Sequence, residues 1–247
     1  MHDHYRAGSV TTTEAFDRGA GHYDLMVALN PGYHRELRRA AGALIERVGD
    51  GRGLSLIDLA CGSGASTRAL VGAAPVDAQI LGLDASGGML AEARAKEWPA
   101  GVSFAQAVAG SLDLEAVGGE RDGILTCYLF RNVAPLTRDR AVAEVFALLR
   151  PGGWLVVQEY SVAGDPRAER VWDAVCRGVI IPLGAVVDRD VDLYRYLWRS
   201  VTDFDSVDRF AHRLTRAGFT DVAHRTASGW QRGILHTFVA RKPEEHA

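Results

Sequence analysis

Short apolar runs alternate with helical patterns between about residues 53 and 160. The apolar runs have the length of buried strands and lie at 54–61, 78–85, 101–108, 123–130 and 154–161. The segments between them space their apolar residues as a helix does, at 65–74, 87–98 and 137–150. This alternation predicts βαβ units and a parallel sheet, with right-handed crossovers that place helices on both faces.

The flanks of this region extend the predicted architecture. Residues 13–48 have a helical pattern that Asn30-Pro31-Gly32 interrupts, and residues 165–217 are mostly helical in pattern. The final runs "TDVAHRT" and "ILHTFVARK" are typical of two further strands. The pattern predicts an α/β fold with a Rossmann-like, seven-stranded, mostly parallel sheet. We expect an N-terminal helical cap over 1–48, a main domain over 49–247, and a helical insertion after the fifth strand, at about 163–200, that forms a substrate lid.

Composition and charge exclude several classes of function. The chain has 247 residues, of which 47% are hydrophobic and 24% charged, as in globular proteins with a substantial core. A net charge of −3 gives no indication of a nucleic-acid partner. No apolar run approaches the roughly 20 residues that span a bilayer, and the N-terminus lacks the pattern of a secretory signal. We therefore expect a soluble, cytoplasmic protein.

The cysteines and histidines favour neither disulfides nor metal binding. Cys61, Cys127 and Cys176 are far apart, and none belongs to a Cys-x-x-Cys pair. The eight histidines show no paired spacing of metal ligands. We predict that the protein has no metal site.

A glycine loop and two carboxylates indicate a nucleoside site. The first predicted strand ends in Asp58-Leu-Ala-Cys-Gly-Ser-Gly64, where glycines leave room for a ligand against the main chain. Asp84 follows Gly64 by 20 residues at the end of the second strand, a spacing that suits ribose hydroxyls. In a doubly wound sheet these strand ends share one crevice.

The loop favours S-adenosylmethionine over a dinucleotide. Its run Gly-Ser-Gly-Ala-Ser-Thr lacks the third glycine of the dinucleotide fingerprint, which disfavours NAD. Asp58 would repel a pyrophosphate, but its carboxylate could accept bonds from an amine or else organise the loop. S-adenosylmethionine carries a ribose, an amine and no phosphate.

The motifs in sequence resemble a known superfamily. "LIDLACGSGAST", "ILGLDASGGMLAEARAK" and "ALLRPGGWLVVQEYS" resemble the successive motifs of class I S-adenosylmethionine-dependent methyltransferases. "LFRNV" resembles the Leu-Arg-Asn-Val signature of the ubiquinone/menaquinone C-methyltransferase family, and "FDRGAGHYDLM", "GYHRELRRA" and "YRYLWRSVTDF" resemble that family too. The resemblance spans about residues 14 to 241.

The resemblance implies which residues bind the cofactor. It places Ser63 in the glycine loop against the cofactor, Asp84 on the ribose, Met89 near the adenine, and Cys127 at the end of the fourth strand. With their neighbours, the predicted cofactor residues are Tyr23, Asp58, Ala60, Gly62, Ser63, Gly64, Asp84, Ala85, Met89, Val108, Ala109 and Cys127. Val108-Ala109 departs from the Asp-Ala that is usual in the family after the third strand. The amide of Ala109, or Ser111 or Asp113, could replace the missing bond to adenine.

Arg131 and Asn132 are the predicted catalytic pair. A guanidinium stays protonated, so Arg131 is suited to stabilise a developing phenolate, and Asn132 could fix the same oxygen or the arginine. His22 ranks first as proton acceptor, ahead of His34, Tyr160 or a water held by Asp24. Tyr128, Tyr160 and Arg131 are the predicted substrate contacts, and Tyr23 could lie against the sulfonium.

Each of these assignments has a structural alternative. Arg131 could be a turn arginine paired with Glu159, His22 a surface histidine, and Tyr23 or Tyr128 a packing aromatic. The apolar segment 165–200 could line an aromatic substrate pocket or form a homodimer contact.

Three functions stay open at this level. The first is methyl transfer to a small quinol-like or phenolic ring, at carbon, and the second is O- or N-methylation of a small specialised metabolite. The third is a methyltransferase-like protein, a cyclase or a binding partner, that holds the cofactor without methylating. The departures at Val108 and at residues 179–190 favour a specialised substrate.

Overall fold

A seven-stranded sheet forms the centre of the protein in the computed structural model, which describes residues 32–49, 51–187 and 191–244. The strands are β1 (Ser55–Leu59), β2 (Gln79–Asp84), β3 (Val102–Gln106), β4 (Arg121–Cys127), β5 (Leu149–Tyr160), β6 (Thr220–Thr226) and β7 (Leu235–Arg241). Their order across the sheet is β3-β2-β1-β4-β5-β7-β6. Strands β1 to β5 are parallel, and β7 pairs antiparallel with β5 and β6. The predicted seven-stranded, mostly parallel sheet is confirmed.

Helices cover both faces of this sheet. They are α1 (Tyr33–Val48), α2 (Ala65–Ala73), α3 (Gly87–Arg94), α4 (Leu114–Val117), α5 (Arg138–Leu148), α6 (Pro166–Val175), α7 (Ile181–Val187), α8 (Val191–Thr202) and α9 (Val207–Arg216). A π-helical segment, Cys176–Ile180, joins α6 to α7, and a 3₁₀ turn, Phe130–Asn132, follows β4. None of the helices within the described ranges is long and apolar enough to cross a bilayer.

Two apolar cores lie on opposite faces of the sheet. Successive side chains of a strand point to opposite faces, so Leu56 joins one core and its neighbour Ile57 joins the other. Because both faces are buried, the central strands contain continuous apolar runs, such as Leu155-Val156-Val157 in β5, instead of a strict alternation with polar residues. Helix α1 buries Leu37 and Leu44 completely in the first core.

The close packing of α1 depends on a glycine in β4. A Cβ atom at Gly123 would lie 2.9 Å from side-chain atoms of both Leu44 and Val48. The described part of the predicted cap, residues 32–48, therefore packs directly on the sheet. The division into a cap, a main domain and a lid stays a prediction.

The strand order creates a crevice beside β1. The chain leaves β1 for β2 on one side, and β4 takes the place on the other side. Helices that follow these strands diverge to opposite faces, so the carboxyl ends of β1 and β4 border an open crevice. The glycine loop follows β1 and the Phe130–Asn132 turn follows β4, so both predicted halves of the site meet there.

Candidate active site

A cavity of about 480 Å³ lies at the carboxyl ends of β1, β2 and β4. This volume is within the roughly 300–1,000 Å³ typical of small-molecule sites. The predicted site residues that line it are Ala60, Gly62, Asp84, Ala85, Met89, Val108, Ala109, Cys127, Tyr128, Arg131 and Asn132. His22 and Tyr23 lie outside the described residues. The fold thus brings most of the predicted cofactor and acceptor residues to one cavity.

Backbone donors fix the carboxylate of Asp84 at the edge of this cavity. Its Oδ2 accepts a hydrogen bond from the Gly62 amide, and its Oδ1 accepts one from the Ser86 amide, both at 2.8 Å. Ser86 also caps α3, because its Oγ accepts from the amide of Met89 at 3.0 Å. One short segment therefore orients both the acid predicted for the ribose and the methionine predicted for the adenine.

The two glycines of the loop serve different purposes. Both have positive φ angles, 54° at Gly62 and 95° at Gly64. A Cβ atom at Gly64 would lie 2.7 Å from the Trp98 ring, so this glycine permits packing. A Cβ atom at Gly62 would meet nothing within 4 Å, so this glycine leaves open space beside the cavity.

Asp58 lies behind the loop and does not line the cavity. Its side chain is fully buried, and its Oδ2 accepts hydrogen bonds from the hydroxyls of Ser66 at 2.8 Å and Thr67 at 2.6 Å. Burial raises the pKa of Asp58 to about 6, and the two hydroxyls oppose that rise. This geometry matches the loop-organising alternative, since Asp58 ties the start of α2 to the end of β1.

A second cavity, of about 330 Å³, lies on the other side of the glycine loop. Gly64 lines it together with basic side chains, namely those of His34, Arg38, Arg68 and Lys96. Lys96 Nζ donates to the carbonyl of Ser63 at 2.8 Å. None of the three predicted residues Ser63, Gly64 and His34 lines the first cavity, and two of them, Gly64 and His34, line the second.

The end of the cavity predicted for the adenine contains one of the residues considered as a substitute for the family aspartate. Ser111 lines the cavity beside Val108 and Ala109. Asp113 does not line it, because its Oδ1 instead accepts from the Ala116 amide at 3.0 Å and caps α4. Of the two substitutes considered for the adenine bond, only Ser111 is at the cavity.

Arg131 both lines the cavity and pairs with Glu159. Its Nε lies 3.3 Å from Oε1 of Glu159, and its amide donates to Oε2 at 3.2 Å. Its Nη1 donates to Asn132 Oδ1 at 2.9 Å and to Ser200 Oγ at 3.0 Å. Arg131 forms this ion pair and still lines the cavity. The two interpretations of Arg131, as a substrate contact and as a turn arginine paired with Glu159, are therefore compatible.

Helix α8 holds Asn132 from the other side. Tyr196 donates its hydroxyl to Asn132 Oδ1 at 3.1 Å, and Asn132 Nδ2 donates to the carbonyl of Tyr128 at 2.8 Å. Tyr128 has a positive φ of 62°, an uncommon conformation for a bulky residue. The sequence did not predict the contacts of Tyr196 and Ser200, although both residues belong to the motif "YRYLWRSV". Helix α8 and the Phe130–Asn132 turn are joined by bonds between residues 64 and 69 positions apart, which local patterns do not indicate.

Four aromatic rings form a stack beside the end of the cavity that Arg131 and Asn132 line. Ring centroids are 5.6 Å apart for Tyr33 and Tyr128, 5.1 Å for Tyr128 and Tyr160, and 5.4 Å for Tyr160 and Trp172. Gln158 Nε2 donates to the Tyr128 hydroxyl at 2.7 Å. Tyr128 reaches the cavity, whereas Tyr160 lies one ring behind it and does not line it.

The remaining lining residues were not foreseen. Most are small or apolar and contribute backbone or methyl surface, namely Leu59, Ala107, Gly110, Leu129, Val133, Ala134 and Thr137. Such residues have no chemical signature. Only their positions at the end of β1 or after β3 and β4 place them at the cavity.

The cavity suits S-adenosylmethionine. One end has a backbone-fixed carboxylate, an open glycine surface and the apolar Met89 and Val108, which fits a nucleoside without phosphates. The other end has a cation and an amide, Arg131 and Asn132, which suits an oxygen of an acceptor molecule. Cys127 lies between the two ends, at the close of β4.

Comparisons with known proteins agree with this geometry. The model of the ubiE/COQ5 methyltransferase family matches residues 5–242. A ubiquinone/menaquinone biosynthesis C-methyltransferase of Methylobacterium nodulans is 35% identical over 87% of this chain and 85% of its own. A demethylmenaquinone methyltransferase of Lactococcus lactis is 30% identical over 94% of this chain and 90% of its own.

Solved structures of low sequence identity share the fold. The N-methyltransferase NodS of Bradyrhizobium japonicum, in complex with S-adenosylhomocysteine, superposes with a TM-score of 0.66 at 16% identity, over 95% of this chain and 100% of its own. The [4+2]-cyclase SpnF also has a TM-score of 0.66, at 17% identity, over 94% of this chain and 95% of its own. The chain belongs to the ubiE/COQ5 methyltransferase family and is an S-adenosylmethionine-dependent methyltransferase.

Proposed function

We propose that the protein transfers a methyl group from S-adenosylmethionine to a ring carbon of a small quinol-like or phenolic substrate. The observation that carries this proposal is which nitrogens of the Arg131 guanidinium already have hydrogen bonds at the cavity. Its Nη1 donates to Asn132 and Ser200, its Nε lies 3.3 Å from Glu159 Oε1 without a hydrogen bond, and its Nη2 makes no hydrogen bond to the described residues. The relatives named for ubiquinone, menaquinone and demethylmenaquinone support a substrate of this class.

The chemistry requires an electron-rich ring. When bound, S-adenosylmethionine supplies a methyl group that its sulfonium activates. A ring carbon would become nucleophilic as a ring oxygen gives up its proton. Its new bond to the methyl group would replace the carbon–sulfur bond of the donor, and the ring carbon would then release its own proton. Arg131 Nη2 would donate to the developing phenolate, and its permanent charge would stabilise that oxygen.

The other cavity residues would bind and align. Asp84 would accept bonds from the ribose hydroxyls, while Met89 and Val108 would pack against the adenine. Asn132 is already held by Tyr196, so it would keep Arg131 in a fixed orientation. Alignment and exclusion of water supply most of what an activated methyl donor needs.

The proton acceptor stays a prediction. Among the described candidates, His34 lies at the basic cavity, and the Tyr160 hydroxyl lies behind Tyr128, 3.4 Å from Gln231 Nε2. His22 and the water proposed beside Asp24 fall outside the described residues. We therefore keep His22 as the first candidate, since its segment precedes the α1 helix that packs beside Tyr128.

A substrate labelled with deuterium at the open ring carbon tests the proposal directly. The wild-type protein, S-adenosylmethionine and a deuterated demethylquinol should give a product that gains one methyl group and loses the deuterium, as read by mass spectrometry. A product that gains the methyl group and keeps the deuterium would show transfer to oxygen or nitrogen. Cofactor binding without any methylated product would favour a non-methylating role.

A further inference from the structure

Glu159 is a fully buried carboxylate directly behind Arg131. It is 0% exposed and does not line the cavity. Its oxygens accept from the Arg131 amide at 3.2 Å and from its own neighbour, the Tyr160 amide, at 3.0 Å. Glu159 therefore binds backbone amides of both the Phe130–Asn132 turn and β5, in addition to its ion pair with the Arg131 guanidinium.

These contacts determine which donor of Arg131 is left for substrate. The guanidinium is planar, so fixing two of its nitrogens fixes the third. Asn132 and Ser200 hold Nη1 by hydrogen bonds, the Glu159 carboxylate lies 3.3 Å from Nε as an ion pair, and Nη2 has no hydrogen bond to the described residues. Without the carboxylate, Nε would lose its ion-pair partner, and it makes no hydrogen bond within the described ranges that could replace this contact.

We propose that Glu159 is a positioning residue for methyl transfer, which aims Arg131 Nη2 at the acceptor oxygen. The proposal rests on the proposed function, since it concerns the same acceptor site. Glu159 itself does not line the cavity, so it would touch neither cofactor nor substrate. It acts only through the orientation of Arg131.

The negative charge of Glu159 opposes the task of Arg131, but distance limits this effect. Coulomb energy falls with separation; Glu159 Oε1 lies 3.3 Å from Nε, whereas the substrate oxygen would bind a different nitrogen, Nη2. The substrate oxygen would thus be nearer to the cation than to the anion. Removing the anion would leave a nearly buried guanidinium without an ion-pair partner and free to reorient about its Nη1 bonds.

The other charged groups near Glu159 have partners of their own. Arg138 Nη1 lies 3.6 Å from Asp205 Oδ1, and Arg138 Nε donates to the carbonyls of Phe130 at 3.1 Å and Val133 at 3.0 Å. His236 lies opposite Glu159 in β7, and burial lowers its pKa, so it is neutral near pH 7. Burial raises the pKa of the Cys127 thiol, which keeps it uncharged.

The proposal predicts a characteristic pH dependence. Burial raises the pKa of Glu159 to about 7, although the Arg131 charge and backbone amides oppose the rise. The carboxylate that anchors Arg131 is therefore present above about pH 7 and lost as the pH falls below it. We expect kcat to rise through this range.

Glu159→Gln tests this dependence, because the amide keeps the shape and loses the charge. At pH 8 we expect kcat to fall about 10-fold, with the Kd for S-adenosylmethionine unchanged within about twofold. Below pH 6 the variant and the wild type should converge, since the wild-type carboxyl is then neutral too. Glu159→Asp keeps the charge on a shorter stem and should retain the pH dependence with an intermediate kcat.

A double-mutant cycle separates positioning from general stability. In an Arg131→Ala background, Glu159→Gln should cause no further loss of kcat, because the residue that it aims is gone. Asp205→Asn is the matched control: it removes another buried carboxylate paired with arginines, and it should lower the melting temperature without removing the pH-dependent limb of kcat.

The outcomes distinguish the two proposals. Wild-type kcat and pH dependence in Glu159→Gln, or an equal loss in the Arg131→Ala background, would overturn the positioning role alone. Failure of the wild-type protein to methylate any quinol or phenol would overturn the proposed function and this role with it.

Discussion

Two buried carboxylates lie behind the cavity, one at each end, and they are held in different ways. Asp58 stands behind the glycine loop and is bound by two hydroxyls, with one oxygen left without a partner among the described residues. Glu159 stands behind the acceptor end and is bound by a guanidinium and backbone amides. Burial raises the pKa of both, to about 6 and about 7.

The difference follows from what each end must do. The cofactor end needs a fixed backbone, and hydroxyls are enough to tie a helix to a strand. Under the proposed function, the acceptor end would need a positive charge at a set place, and a carboxylate partner stabilises a buried cation there. Helix α8 contributes to the acceptor end through Tyr196 and Ser200, whereas the cofactor end is formed by local segments.

The largest expected effect is at the cofactor end. Asp84→Ala should weaken S-adenosylmethionine binding by about 100-fold or more, because charge-assisted bonds to two hydroxyls are lost at about 1.5–3 kcal/mol each. Calorimetric titration measures this, with circular dichroism to show that the fold is retained. Asp208→Ala, on an exposed carboxylate of α9, is the control and should bind normally. Unchanged affinity in Asp84→Ala would contradict the assignment of the ribose.

The next effect separates the acceptor end from the cofactor end. Arg131→Ala should lower kcat by about 100-fold, the scale of a lost charge-stabilising donor, and leave the cofactor Kd unchanged within about twofold. Arg131→Lys should recover only part of the rate, because lysine keeps the charge without the planar fork. Equal losses of binding and turnover in Arg131→Ala would show that the two ends are not independent.

The smallest effect concerns Asp58 and stability. The folded-state pKa of about 6 lies above the ordinary value of 3.8, so the folded state loses stability as the pH rises between them. Asp58→Asn should remove this loss and gain about 1–3 kcal/mol relative to wild type between pH 4 and pH 8. Urea unfolding at pH 4 and at pH 8 measures this difference in the free energy of unfolding. Asp77→Asn, at an exposed carboxylate, is the control. A large loss of cofactor affinity in Asp58→Asn would instead favour the amine-binding alternative.

Much of the fold and the cofactor end could be predicted from local sequence. The glycine loop, Asp84 and Met89 are separated by short stretches, so strand and helix periodicity alone places them at one edge of the sheet. The same reasoning left open whether Asp58 binds the cofactor or organises the loop. A strand residue shows in sequence which neighbours it has, but not that the Ser66 and Thr67 hydroxyls will fold back on it.

By itself, the sequence determined the sheet, the cofactor class and the presence of an arginine and an asparagine after β4. Those features depend on periodicity and on motifs a few residues long. The sequence also offered Glu159 as a partner of Arg131, as one of two alternatives. Only the tertiary structure decided that this ion pair forms at the cavity, that Ser200 and Tyr196 join Arg131 and Asn132, and that Tyr160 lies behind Tyr128. These contacts join residues that are far apart along the chain. They depend on strand order and on how the helical insertion packs, which local patterns do not encode.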